Sequence, residues 1–168
     1  PDLLAALDLV ALATVADVVP LRGLNRAFVA KGLLAMRRRE RVGLTALMDA
    51  ARLDGPPRPF HLGFLLGPRI NAGGRIGDAS LGARLLLTDD PLEARAIAQE
   101  LDRLNGERQE VERAILAAAE AEADAALGRD GEGACVIVSG DGWHPGVVGL
   151  VASRLKDRFQ RPAFAIAF

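Results

Sequence analysis

The 168-residue chain contains no tyrosine, one cysteine and two histidines. A lone cysteine can form neither an internal disulfide nor a cysteine-based zinc site. Cys135 lies in the apolar run Ala134-Cys135-Val136-Ile137-Val138 and is expected to be a buried packing residue. Aromatic residues make up only 4% of the chain, which leaves little material for a base-stacking surface. Charge of either sign is also not in excess: 21 Lys and Arg against 22 Asp and Glu leave a net charge of -1. The chain as a whole therefore does not attract nucleic acid electrostatically, and any such binding has to be local. No apolar run approaches the roughly 18 residues needed for a membrane span, and the N-terminus lacks the basic-then-apolar layout of a signal peptide. These absences predict no membrane contact and a cytoplasmic location. What is present is ordinary globular composition, 50% hydrophobic and 26% charged, enough for one good-sized domain or two small lobes. The chain begins at Pro1 and stops inside the strand-like run Ala163 to Phe168 with no turn signal after it, so an internal piece of a longer protein is expected.

Periodicity divides the chain. Apolar residues at three- and four-residue spacings predict helices over 2–13, 25–37 and 43–53. Asp17-Val18-Val19-Pro20, Arg22-Gly23 and the Pro-rich stretch Asp54 to Pro59 separate them as turns or loops. The run Arg37-Arg38-Arg39-Glu40-Arg41 could grip phosphates, but reads better as a solvated helix end, where cations are favoured. From Asp90 to Leu127 one long helix is predicted, opened by a carboxylate cap, Pro91 in the first turn and Glu93 two residues on. At 1.5 Å per residue it would be about 55 Å long. Its stripe Ile97, Leu101, Leu104, Val111, Ile115 and Ala118 is interrupted by Arg108 and suits a connector between lobes, with a coiled-coil dimer as the alternative. After the Gly-rich, charged stretch 128–133 the period changes: a buried strand over 134–138, an amphipathic helix over 146–159 and a second strand over 163–168 predict the start of an α/β lobe.

Three segments carry candidate chemistry. Ser139-Gly140-Asp141-Gly142-Trp143-His144-Pro145-Gly146 lies between the predicted strand and helix. Glycine backbone there can approach an anion, the helix dipole favours it, and His144 could donate a hydrogen bond or a proton. A strand-to-helix turn also needs glycine for steric reasons alone, and the segment lacks the ending of a P-loop. Gly67-Pro68-Arg69-Ile70-Asn71-Ala72-Gly73-Gly74-Arg75-Ile76-Gly77 combines guanidinium groups with Gly-rich backbone, as a clamp on a nucleic-acid strand would. Its arginines could equally cap helix ends or pair with Asp78. Asp17, closing the apolar segment that ends Thr14-Val15-Ala16, could be a hard-oxygen metal ligand or a plain turn residue. His61, between Phe60 and Leu62, is expected to be structural.

Taken together and in this order, the segments resemble the RecJ-type single-stranded-DNA exonucleases of the DHH phosphoesterase family. Asp8 to Leu21 looks like that family's fourth motif, whose closing aspartate is a metal ligand, which implies that role for Asp17. Gly67 to Gly77 is similar to its Arg-x-Asn-Ala-x-Gly-Arg motif, implying nucleic-acid or active-site contacts for Arg69, Asn71 and Arg75. Ser139 to Ser153 resembles the signature of the DHH-associated C-terminal lobe, whose histidine contacts phosphate. That role maps to His144, with Ser139, Gly140, Gly142 and Gly146 around the phosphate, and Arg161-Pro162 matches a further short motif.

The resemblance implies an α/β fold that is mostly helical here: the helical end of the DHH lobe over 1–89, a long connector helix over 90–127, and the beginning of the C-terminal lobe over 128–168. It implies 5′ to 3′ hydrolysis of single-stranded DNA with two Mn or Mg ions, in repair and recombination, alongside other repair or replication proteins. The family's Asp-x-Asp segment, a further aspartate and the Asp-His-His segment are not in this sequence, so the chain alone is expected to be inactive and to bind DNA weakly. Two other readings share parts of this logic: a DHH phosphodiesterase for short oligonucleotides or cyclic dinucleotides, and a non-catalytic replication or scaffold relative.

Overall fold

The computed structural model describes residues 3–127 and 133–168; residues 128–132 of the expected Gly-rich link lie outside them. A 3-10 turn over Leu3–Ala6 leads into α1 (Leu7–Ala16), followed by α2 (Gly23–Arg37) and α3 (Val42–Ala50). A continuous helical stretch then runs as α4 (Pro59–His61), a π-helical turn (Leu62–Leu66) and α5 (Gly67–Ile76). After α6 (Ser80–Leu87) comes α7 (Pro91–Leu127), then β1 (Val136–Gly140), α8 (Pro145–Phe159) and β2 (Ala163–Ala167). Two compact units divide the chain, Pro1–Asn105 and Gly106–Phe168. No helix among the described residues is long and apolar enough to cross a membrane.

The first unit is all helical, around Leu12, Met36, Leu44, Leu47, Leu62, Leu66, Leu85 and Leu101. Its helices come together backbone to backbone at glycines. A Cβ on Gly32 of α2 would lie 2.1 Å from the Leu7 carbonyl oxygen of α1, and one on Gly43 of α3 would lie 1.7 Å from the Leu85 carbonyl oxygen of α6. The ends of α1, α2 and α3, by contrast, do without glycine. Val18, Arg39 and Arg52 follow α1, α2 and α3 with φ of 58°, 54° and 53°, in the left-handed region that glycine favours after a helix. Behind α1 the Val18 N-H donates to the Val15 carbonyl at 3.1 Å and the Val19 N-H to the Thr14 carbonyl at 3.0 Å. That pair of bonds satisfies the terminal carbonyls at the expense of left-handed strain on a β-branched residue.

Charges inside the unit are paired. Asp8, buried, accepts from Arg41 Nε at 2.8 Å and from Arg41 Nη2 at 3.2 Å. Arg38 pairs with Glu40 at 3.2 Å, and Arg39 pairs with Asp49. Three arginines of the 37–41 run thus have protein partners, in agreement with the helix-end reading. The start of α7 is capped as predicted: the Asp90 carboxylate accepts from the Leu92 N-H at 2.9 Å. Glu93 accepts from the Thr88 hydroxyl at 2.6 Å and from Arg84 at 2.9 Å, and these bonds, the hydroxyl's first, hold its carboxyl below the usual range.

In the second unit, α8 covers one face of a two-stranded parallel sheet in which Val136 pairs with Ala163 and Gly140 with Ala167. Val136, Val138, Val147, Val151 and Leu155 form its core together with Ile115, Ala119 and Ala123 of α7. Arg158 ties α8 to α7 through Glu120 at 2.6 Å and Asp124 at 2.9 Å. The α/β character is as expected, and three details differ. The first strand starts two residues later than predicted, so that Cys135 lies outside it and is only half-buried. The sheet's other face is not buried: Ile137, Phe164 and Ile166 are exposed, and no helix among the described residues covers that side. On α7 the apolar stripe continues through Ala119 and Ala123 rather than Ala118, which is exposed. Where the stripe breaks, Arg108 forms a mostly buried pair with Glu112.

Replacing Gly43 by alanine forces a methyl group into the Leu85 carbonyl and should lower stability by about 3 kcal/mol, the upper range for overpacking, read as a fall in the urea midpoint. Replacing Val18 by glycine should instead raise stability by about 1 kcal/mol, since relief of left-handed strain exceeds the entropic cost of glycine. A Val18→Gly chain that melts below the parent would contradict that account of the α1 terminus.

Candidate functional site

Asp17 closes α1: its N-H donates to the Ala13 carbonyl at 3.0 Å, and its side chain is exposed. The end of α1 is seated on the turn that opens α5. A Cβ on Gly67 would fall 3.0 Å from Ala16 Cβ, and one on Gly63 3.4 Å from Val15 Cγ1. Asp17 thus follows directly on the residue that touches the start of the Gly67–Gly77 segment.

That segment is a helix rather than open Gly-rich backbone, and its Pro68 explains the π turn before it. Proline has no N-H and its ring collides with the carbonyl four residues back, so the turn widens and the Gly67 N-H reaches the Leu62 carbonyl five residues away. Most glycines here make room for neighbours: a Cβ on Gly73 would lie 2.6 Å from the Asp78 carbonyl oxygen, and one on Gly77 2.8 Å from Leu104 Cδ1. Arg69 is mostly buried, with Nε donating to Asp102 of α7 at 2.8 Å and Nη1 to the Leu65 carbonyl at 2.8 Å. It anchors the disturbed helical turn to α7. Asn71 faces solvent, and Arg75 is half-buried. Asp78, a possible partner for the arginines, is engaged by Ser80 through its N-H at 2.8 Å and its hydroxyl at 2.9 Å. These bonds lower the Asp78 carboxyl below its ordinary range.

In the second unit Ser139 and Gly140 end β1, Gly142 turns the chain with φ of 72°, and His144 is the N-cap of α8. Several N-H groups of this turn already have protein acceptors. Ser139 N is 3.3 Å from a Glu122 carboxylate oxygen, the Gly142 N-H donates to the Phe168 carbonyl at 3.2 Å, and the Gly146 N-H to His144 Nδ1 at 3.1 Å. The last bond sets the imidazole tautomer: a Nδ1 that accepts carries no proton, so the neutral ring carries it on Nε2, the nitrogen left to donate outward. Gly140 lies under the Trp143 indole, where a Cβ would be 2.2 Å from Nε1. His61 is structural as expected, its Nδ1 accepting from the Arg58 N-H at 3.2 Å. Arg161 donates to the Gly133 carbonyl at 2.6 Å.

The site residues of the first unit thus gather where α1 meets α5, and those of the second in the turn between β1 and α8. Among the described residues no group of three or more His, Cys, Asp or Glu side chains comes together as a metal site. Two recesses of the first unit, of about 170 and 510 Å³, open around Arg39 and Thr45 and include none of Asp17, Arg69, Asn71 and Arg75. Sequence reading missed Asp102 and Glu122. Each is one acid among many on the polar surface of α7, and only tertiary contact distinguishes it.

No protein-family model matches the chain. Curated relatives named single-stranded-DNA-specific exonuclease RecJ match 99% of it: the Salmonella typhimurium protein at 45% identity, that of Escherichia coli at 44% and that of Thermus thermophilus at 43%. The chain spans 30% of the length of the first two and 24% of the third. Among solved structures, RecJ from Thermus thermophilus in complex with Mg2+ is 41% identical with a TM-score of 0.88, over 99% of this chain and 26% of that one. The same protein with Mn2+ gives the same identity and score over 24% of its chain, and an exonuclease RecJ bound to manganese gives a TM-score of 0.87 over 41% of its chain. Sequence and backbone agree over 99% of the chain, which corresponds to a segment of RecJ.

Proposed function

We propose that this chain is part of an exonuclease that hydrolyses single-stranded DNA from its 5′ end with the help of Mn or Mg, acting in repair and recombination in the cytoplasm. Residues 1–89 would be the C-terminal part of a DHH lobe, 90–127 its connector helix, and 128–168 the beginning of the C-terminal lobe. The observation that carries this reading is the seating of the α1 terminus, with Asp17 next in line, on the helix that displays Asn71 and Arg75. A carboxylate beside an amide and a guanidinium suits a phosphodiester held near a divalent ion.

The chain's own residues take limited roles in this scheme. Asp17 offers one hard-oxygen ligand. With no cluster of three ligating side chains among the described residues, the donor set here does not fit a complete metal centre, and no chemical step is assigned to one. The Asn71 amide and the Arg75 guanidinium hydrogen-bond strand phosphates, and Arg69 holds α5 in position through Asp102 and the Leu65 carbonyl. The His144 Nε2-H donates to a phosphate oxygen, and its cap bond to Gly146 fixes the direction in which it does so, within the turn that Ser139, Gly140, Gly142 and Gly146 shape.

Two measurements test this. The purified chain with Mn should leave labelled single strands intact; measurable digestion would refute the claim that one carboxylate is too few. A chimaera in which this chain replaces the matching segment of the Thermus thermophilus relative should digest long single strands, and Asp17→Asn in it should cut the rate by about 100-fold or more, since even outer-shell partners of a metal are worth 10–100-fold. Full activity of the Asp17→Asn chimaera would remove Asp17 from the mechanism.

A further inference from the structure

Two phenylalanines stand in solvent on the helical stretch that leads into α5. Phe60 is 59% and Phe64 70% exposed, and their rings stack with centroids 4.9 Å apart and 25° between planes. The His61 ring meets Phe60 edge-on at 6.0 Å. Residues four apart share one face of a helix, and a π turn over Leu62–Leu66 lies along this stretch. The chain has six phenylalanines and no tyrosine, and two of the six stand side by side with their ring faces open among the described residues.

What surrounds the pair points to its ligand. Arg58 is exposed just ahead of Phe60, and the same stretch goes on to Asn71 and Gly74 in solvent, with Arg75 half-buried beside them. From Phe60 to Arg75 the helical rise is roughly 22 Å, long enough for several nucleotides. Apolar ring faces followed by an amide and cations match a polyanion that also has flat apolar faces; an apolar protein surface would use the rings but gain nothing from the cations. The Gly63 and Gly67 contacts with α1 put the ledge on the element against which the Asp17 end of α1 is seated.

We infer that Phe60 and Phe64 form a base-stacking ledge for single-stranded DNA, continuous with the Asn71–Arg75 surface. The inference rests on the nuclease reading for the identity of its ligand. It also revises the expectation from composition: aromatic residues are few, yet two of them are spent on an exposed stack.

The test is fluorescence anisotropy at low salt with the whole chain, comparing a labelled short oligothymidylate with a strand of equal length made of abasic sites. The chain should prefer the base-bearing strand by about fivefold or more, the low end of what stacking on one aromatic contributes. The double variant Phe60→Ala/Phe64→Ala should bind the two strands alike, while Phe64→Trp keeps the preference. Both phenylalanines are exposed, and an unchanged melting curve checks that the variants fold. A double variant that retains the full preference overturns the ledge. So does a parent chain without preference: if Arg75→Ala then weakens both strands equally, the ledge alone fails and the strand-binding reading stands, whereas no binding to either strand sinks both. Self-association of the parent that the double variant abolishes, with no base preference, would assign the rings to protein contact instead.

Discussion

Contact between helix backbones is the constraint on which the first unit depends. Where Gly32 meets Leu7 and Gly43 meets Leu85, the space that a Cβ would need is filled by a carbonyl group, and a carbonyl in a helix cannot rotate away as a side chain can. These contacts fix how α1 lies on α2 and how α3 lies on α6. At Gly67 the α1 atom that fills the space is instead the Ala16 methyl, so the placement of Asp17 next to that contact is a result of packing and needs no dedicated interaction by Asp17 itself. The α2, α3 and α1 ends, which on local grounds would have favoured glycine, carry arginine or valine in left-handed conformations instead. At Gly32 and Gly43 volume decides, and the ends of α1, α2 and α3 bear left-handed strain without glycine.

Much of this organisation was legible in the sequence because it rests on periodicity and local chemistry. The Asp90-Pro91 start of α7, the change of period after residue 133 and the strand-helix-strand unit that follows are all written in neighbouring residues. The character of the Gly67–Gly77 segment was not. Four glycines and a proline in eleven residues give no helical signal, and the facing chain, at Asp78 and Leu104, is what makes a helix of small residues worth forming there. Arg69 was singled out for a phosphate, yet two of its nitrogens are committed to Asp102 and Leu65, partners that become neighbours only once α5 lies against α7. The bare face of the sheet escaped notice for a related reason. Ile137 belongs to an unbroken apolar run, and the run does not record how many helices will cover it.

The turn around His144 is shaped by bonds within the protein. A glycine-rich turn at a helix N-terminus suggests a set of free N-H groups, but here Gly142 and Gly146 donate within the protein and Ser139 lies near an acid of α7. The outcome is a narrower and more specific device. One imidazole is held by its cap bond with a single nitrogen left to donate, and the glycines provide the left-handed turn and the room under Trp143 that allow it.

Gly74 completes the contrast among the glycines. It sits in the interior of α5 and faces solvent, and a Cβ there would meet nothing closer than Ala79 at 3.8 Å, an ordinary contact. Alanine would fit, and glycine in such a position gives up roughly 0.5–1 kcal/mol relative to it. At Gly32, Gly43 and Gly73 close packing offsets that loss; at Gly74 the fold offers no such return. Its neighbours are Asn71 and Arg75, the two residues of the segment assigned to strand phosphates. Gly106 in α7 and Gly149 in α8 stand likewise in helix interiors where a Cβ would meet nothing within 4 Å, so the crowded glycines are compensated by the fold and these three are not.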